Sequence, residues 1–209
     1  MPLPLLSPTI ASIVAFGDSI TESGGAPAGW CSLLQARLDA ARPKTHRVHI
    51  AGFGGRQSGE LLDRMGEHVL PRLPGLVLLG CGINDAYHQA WQRIPRVSLG
   101  EYRRNMAEIV RVVRERGGEA VLLAGHDLVD SGIFVQGNGR PQPENYRPYQ
   151  QDVPRLAREL GATCIDLAAG IAAAGIPCAE VLAKDGVHLS DAGHACYARI
   201  IGDALLGMP

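Results

Sequence analysis

The chain reads as a three-layer α/β/α sandwich around a mainly parallel, five-stranded sheet, and three observations predict it. Short apolar runs alternate with segments of helical period along the chain. The runs are continuously apolar rather than alternating, as in strands covered on both faces. Helical segments stand between successive runs, which is what crossovers between parallel neighbours require. With 209 residues, 46% of them apolar, there is material for one substantial core, and residues 1–209 are read as one domain without repeats or low-complexity linkers.

The first strand is "SIVAF" (12–16), followed by a helix over 29–41 with Trp30, Leu33, Leu34, Leu38 and Ala41 on one face. "RVHIAG" (47–52) is the second strand; Leu61, Leu62, Met65 and Val69 then mark a helix that stops near Pro71. "GLVLLGCG" (75–82) is the third and most apolar strand. Tyr102, Met106, Ile109, Val110 and Val113 recur at helical spacing behind it, and "RGG" (116–118) ends that helix. "EAVLLAG" (119–125) is the fourth strand, and the polar loop from His126 to Asn145 is longer than an ordinary connection. A helix is predicted over 148–160, with Pro154 accommodated only in a first turn behind Asp152. "ATCIDL" (162–167) is the fifth strand, and Ser190 caps a last helix carrying Tyr197, Ala198, Ile201 and Leu205.

Composition excludes several classes of function. A net charge of -1 with scattered Lys and Arg offers no basic patch for nucleic acid or an anionic membrane, so a small molecule is the expected partner. Five cysteines without a C-x-x-C pair suit neither a disulfide framework nor zinc; they read as small buried hydrophobes, and no metal is expected. No run reaches the roughly 18 apolar residues of a membrane span. The apolar start "MPLPLLSPTIASIVAF" lacks a positive n-region and is broken by prolines, so a cytoplasmic protein is expected, although removal of a leader would look the same. Oligomeric state is left open, a homo-oligomer included.

Ligands of open parallel sheets bind beyond the carboxyl ends of the strands. That edge receives Ser19 after strand one, Gly54 and Gly55 after strand two, Asn84 and Asp85 after strand three, and Asp185 and His188 before the last helix. A serine hydroxyl needs a base within hydrogen-bond reach, and an imidazole base needs an acceptor on its other nitrogen. Asp185 and His188, three apart across a turn with Gly186, suit that pairing. An oxyanion needs fixed donors, which the Ser19 and Gly55 N–H groups and the Asn84 amide can supply. Asp18 and Asp85 read as hydrogen-bond partners of the loop backbone, because a carboxylate aimed at an oxyanion would oppose it. His126 and Asp127 are the rival to the Asp185 and His188 pair, with His126 a candidate substrate contact. Tyr87, His88 and Trp91 belong either to a pocket wall, Tyr87 foremost as a substrate contact, or to an ordinary packed helix, and His46, His49, His68 and His194 read as surface or helix residues.

In this order "FGDSI" (16–20), "GFGG" (52–55), "GIND" (82–85) and "DGVH" (185–188) resemble the blocks of the SGNH (GDSL-type) hydrolase family over nearly the whole chain. The resemblance implies a flavodoxin-like sandwich and a cofactor-free esterase or acyl hydrolase, lipase-like in type. Ser19 would be its nucleophile, His188 its base, Asp185 the partner of that base, and Ser19, Gly55 and Asn84 its oxyanion hole. Strand two departs from the pattern: Ile50 stands where members often carry asparagine, and Gly54 remains an alternative to Gly55.

The reading is a serine esterase for small acyl esters, acetyl or short-chain. Acyl transfer or thioester hydrolysis by the same site is the first alternative, and a non-catalytic carbohydrate- or nucleotide-binding module the second. "GFGG" lacks the G-x-G-x-x-G spacing of a dinucleotide loop, and a binder needs no base behind its serine.

Overall fold

The structure is a computed structural model that describes Leu6 and residues 10–208. Five strands, β1 (Ser12–Gly17), β2 (Arg47–Gly52), β3 (Leu76–Gly80), β4 (Glu119–Ala124) and β5 (Thr163–Asp166), form one sheet in the order β2-β1-β3-β4-β5. Every neighbouring pair is parallel. The central strands are buried along nearly their whole length, which is why they read as unbroken apolar runs.

Helices cover both faces. The helix α2 (Trp30–Ala41) packs on α8 (Asp191–Leu206), and α6 (Leu167–Ala173) and α7 (Cys178–Val181) also pack against α8. Beyond the other face α3 (Ser58–His68) packs on α4 (Leu99–Glu115), and α4 on α5 (Gln142–Leu160). A five-residue helix, α1 (Ser19–Ser23), follows β1 directly and seats itself on the end of β2. Gly52 permits this approach, since a Cβ there would lie 2.0 Å from the Glu22 nitrogen.

Helices α8 and α5 each carry their sequence signal at one terminus. Ser190 accepts from the Gly193 N–H at 3.1 Å and so caps α8, and Gly161, at φ +60°, closes α5.

Four helices differ from the sequence reading. The helix expected over 148–160 begins at Gln142 and carries both Pro148 and Pro154 in its interior. Tyr146, Tyr149, Val153, Leu156 and Ala157 are all buried at helical spacing, so core packing overrides the two missing N–H donors. Pro148 is itself exposed, at the water-facing side where a freed carbonyl can be hydrated. The short helices α1, α6 and α7 were not anticipated, being too brief for a periodic signal.

Two of the histidines read as surface or helix residues are buried, His194 within a helix and His46 outside one. His46 places Nδ1 2.6 Å from the Ile10 carbonyl. His194 accepts the Trp30 N–H at 3.3 Å and thereby caps α2, whose own N-terminal residue, Gly29, has no side chain to do so. All five cysteines are free thiols, Cys31, Cys81 and Cys196 being buried. Among the described residues no group of side chains is arranged to hold a metal, and no helix is long and apolar enough to cross a membrane.

Candidate active site

Strand register brings the site loops together. Gly17 pairs with Gly52 on one side and Gly80 on the other, so the loops after β1, β2 and β3 leave the sheet side by side. Ser19 is the first residue of α1, and Asp18 is its cap, accepting the Ile20 N–H at 3.0 Å. That cap fixes the backbone of Ser19, whose half-buried hydroxyl stands 3.0 Å from His188 Nε2. His188 Nδ1 is 2.6 Å from Asp185 Oδ2.

Asp185 is held independently of the imidazole. Its Oδ1 accepts the N–H groups of Val187 and His188, each at 2.9 Å. Burial works against its charge, but the His188 hydrogen bond and these two N–H groups outweigh it and keep the carboxyl below the usual carboxylate range. A carboxylate at Oδ2 requires Nδ1 to donate, which leaves the Nε2 lone pair for the serine O–H. Gly186 sits at φ +73°, and a Cβ there would lie 2.1 Å from the Val129 carbonyl oxygen, so the turn between acid and base needs glycine.

The other two candidate donors lie on adjoining loops. Gly55 has φ +72° with open space where a Cβ would project, whereas the corresponding position on Gly54 would meet the Glu22 carboxylate at 2.6 Å. Gly55 is therefore the glycine whose conformation demands its residue type. Among the described residues neither the Ser19 nor the Gly55 N–H has an acceptor. Asn84 donates through Nδ2 to the Arg56 carbonyl at 3.1 Å, tying its loop to that of Gly55. One amide proton of Asn84 is left for a ligand.

Asp85 serves the loop, as its chemistry predicts. It accepts the Ser58 N–H at 3.0 and 3.1 Å and the Ser58 hydroxyl, while Asn105 Nδ2 donates to that hydroxyl at 2.9 Å. The start of α3, and with it the Gly55 loop, is thereby fixed to the residue beside Asn84. Ser58 and Asn105 belong to no motif in the sequence and became visible only when the fold joined them to Asp85.

His126 corrects an expectation. It is 1% exposed, so it is not a substrate contact, and it is not half of a rival dyad. Its Nδ1 meets the Tyr197 hydroxyl at 2.6 Å and its Nε2 the Val187 carbonyl at 2.8 Å, next to His188, so it braces the turn from behind. Burial pushes its pKa down to about 4, which keeps it neutral. Asp127 instead accepts from Gln150 at 2.9 Å. Tyr87 is half-buried and its hydroxyl donates to the Val135 carbonyl at 3.4 Å, joining loop 86–97 to the long loop after β4. Of the other suggested wall residues His88 is buried, while Trp91 is 79% exposed.

Asp18 leads to a prediction about stability. Burial, against the opposing Ile20 N–H, raises its pKa from 3.8 to about 7, and the Asp85 charge adds to the rise. The folded chain thus binds this proton more tightly than the unfolded chain, and stability falls as pH rises through that window. His126 acts in the opposite sense, its lowered value making stability rise with pH between about 4 and 6.5. Asp18→Asn keeps an oxygen for the Ile20 N–H and removes the ionisation. Relative to wild type, the variant should gain about 3 kcal/mol between pH 5 and pH 8 in urea unfolding curves.

A parallel sheet that presents a serine, an imidazole and a carboxylate in one hydrogen-bonded line places the molecule among the serine hydrolases. Within that class the chain belongs to the GDSL-like lipase/acylhydrolase family, whose family model matches residues 15–196. Members of that family are ester-bond hydrolases, and so is this chain. The search of curated proteins returned no match.

Solved structures similar to this one include the acetyl xylan esterase AlAXEase, at TM-score 0.77 and 23% identity over 93% of this chain and 100% of that one. The lipase/acylhydrolase from Enterococcus faecalis gives TM-score 0.76 and 24% identity over 95% and 96% of the two chains. Axe2, an acetylxylan esterase from Geobacillus stearothermophilus, gives 0.74 and 23% over 93% and 94%. At these identities the likeness is one of fold.

Proposed function

We propose that the chain hydrolyses small acyl esters, acetyl or short-chain, through an acyl-serine on Ser19. The observation that carries the proposal is the line from Asp185 through His188 to the Ser19 hydroxyl, with contacts of 2.6 and 3.0 Å. Ser19 Oγ attacks the ester carbonyl as His188 Nε2 takes its proton. The oxyanion is received by the Ser19 and Gly55 N–H groups and the free Asn84 amide proton. Collapse breaks the bond to the leaving alkoxide, which takes the proton from the imidazolium. Water then gives its proton to Nε2, attacks the acyl carbonyl and releases Ser19, which recovers the proton. Two of the similar structures are acetyl xylan esterases, which favours an acetyl group as the acyl moiety.

The test is pre-steady-state hydrolysis of p-nitrophenyl esters of increasing acyl length. Acetate should give a burst of p-nitrophenol matching the enzyme concentration, with turnover falling as the chain lengthens; absence of turnover on every ester would overturn the reading. Asn84→Ala should lower kcat about 100- to 1000-fold with little change in KM. Acyl transfer, the alternative chemistry, would show as ester product in place of carboxylic acid when an alcohol acceptor is added.

A further inference from the structure

We propose that Arg96 is a positioning residue that anchors the peptide following Gly55 and thereby keeps the Gly55 N–H in its donating orientation. The proposal rests on the oxyanion role assigned to Gly55 above. Gly55 is exposed, lacks a side chain and sits at positive φ, so nothing in the residue itself restrains rotation of its flanking peptides. The restraint comes from the Gly55–Arg56 peptide, joined through the Gly55 Cα to the peptide that carries the donating N–H, and it is gripped on both sides. Its N–H, that of Arg56, donates to the Phe53 carbonyl at 3.3 Å, and its carbonyl, that of Gly55, accepts from Arg96 Nη1 at 3.2 Å.

The guanidinium is aimed by a second partner. With the Gln57 amide oriented by its donors, Gln57 Oε1 accepts from Arg96 Nη2 at 2.7 Å and Nε at 2.9 Å. Arg96 therefore spans two acceptors of the Gly55 loop with one planar fork, a geometry that a lysine ammonium does not reproduce. Its backbone is anchored in turn, the Arg96 N–H donating to the Tyr87 carbonyl at 2.9 Å and the next N–H, of Val97, to the Asp85 carbonyl at 3.0 Å. Arg96 thus couples the loop that carries Asn84 to the one that carries Gly55, so the two donors keep a fixed separation.

Arg96 touches the peptide that follows the donating one, across the Gly55 Cα, and not the reacting atoms, so its loss should appear in kcat. Arg96→Ala is expected to lower kcat for p-nitrophenyl acetate about 10- to 100-fold with KM within about twofold. Arg96→Lys, which keeps the charge and most of the stem, should show most of the same loss. Added methylguanidinium should recover part of the activity of Arg96→Ala while leaving wild type unchanged. If Arg96→Ala does not fold, Arg96→Lys decides. Wild-type kcat in the folded variants, a rise in KM alone, or full activity in the lysine variant would overturn the proposal. Wild-type protein that turns over no ester would instead defeat the underlying reading, and is told apart by that control.

Discussion

Ser19→Ala should lower kcat for p-nitrophenyl acetate by about ten-thousandfold or more while the protein stays folded. The two halves of this expectation have separate causes. The hydroxyl is the only atom removed, and the cap that shapes the start of α1 belongs to Asp18, whose carboxylate still receives the Ile20 N–H at 3.0 Å. The oxyanion donors remain, so a small residual rate above that of water is expected. Steady-state kinetics with unfolding curves for both proteins makes the comparison, and a variant retaining full turnover would remove Ser19 from the chemistry.

Asp185→Asn should be nearly as damaging, about ten-thousandfold in kcat, for a reason particular to this turn. Oδ1 is committed to the N–H groups of Val187 and His188, so the amide oxygen of the variant stays on that side. Its NH2 then faces His188 Nδ1 and demands an acceptor there. The imidazole proton moves to Nε2, opposite Ser19, where a donor cannot take the hydroxyl proton. Backbone contacts are preserved, so the loss should come without a change in thermal midpoint, and kcat measured beside calorimetry checks both.

Much of this was legible in the chain because the fold class follows from period and continuity of apolar runs. All five strands were visible, β2 with its observed ends, since β1, β3 and β4 are buried apolar runs and the partly exposed edge strands β2 and β5 are short segments bounded by turn residues. Helix α5 was misjudged at its start because Pro148 and Pro154 carry a strong local penalty that the burial of Tyr146 and Tyr149 outweighs, a balance local propensity does not contain. That Ser19, His188 and Asp185 stand in one hydrogen-bonded line was readable from motif order. Their bracing was not, since it runs through contacts remote in sequence. His126 to Val187 spans 61 positions, Ser58 to Asp85 spans 27, and Arg96 to Gly55 spans 41. His126 looked like a pocket residue because it follows β4 at the carboxyl edge; packing against Tyr197 turned it inward. Such partners have no fixed spacing, and only the closed fold shows which residue stands behind which.

The measurement that bears most directly on the central claim is the site of modification by a fluorophosphonate. Folded protein should take up one equivalent by intact mass, peptide mapping should place the adduct on Ser19, and labelling should be lost in Asp185→Asn and slowed by a competing short-chain ester. Folded protein that remains unlabelled, or carries its adduct on another residue, would contradict the account.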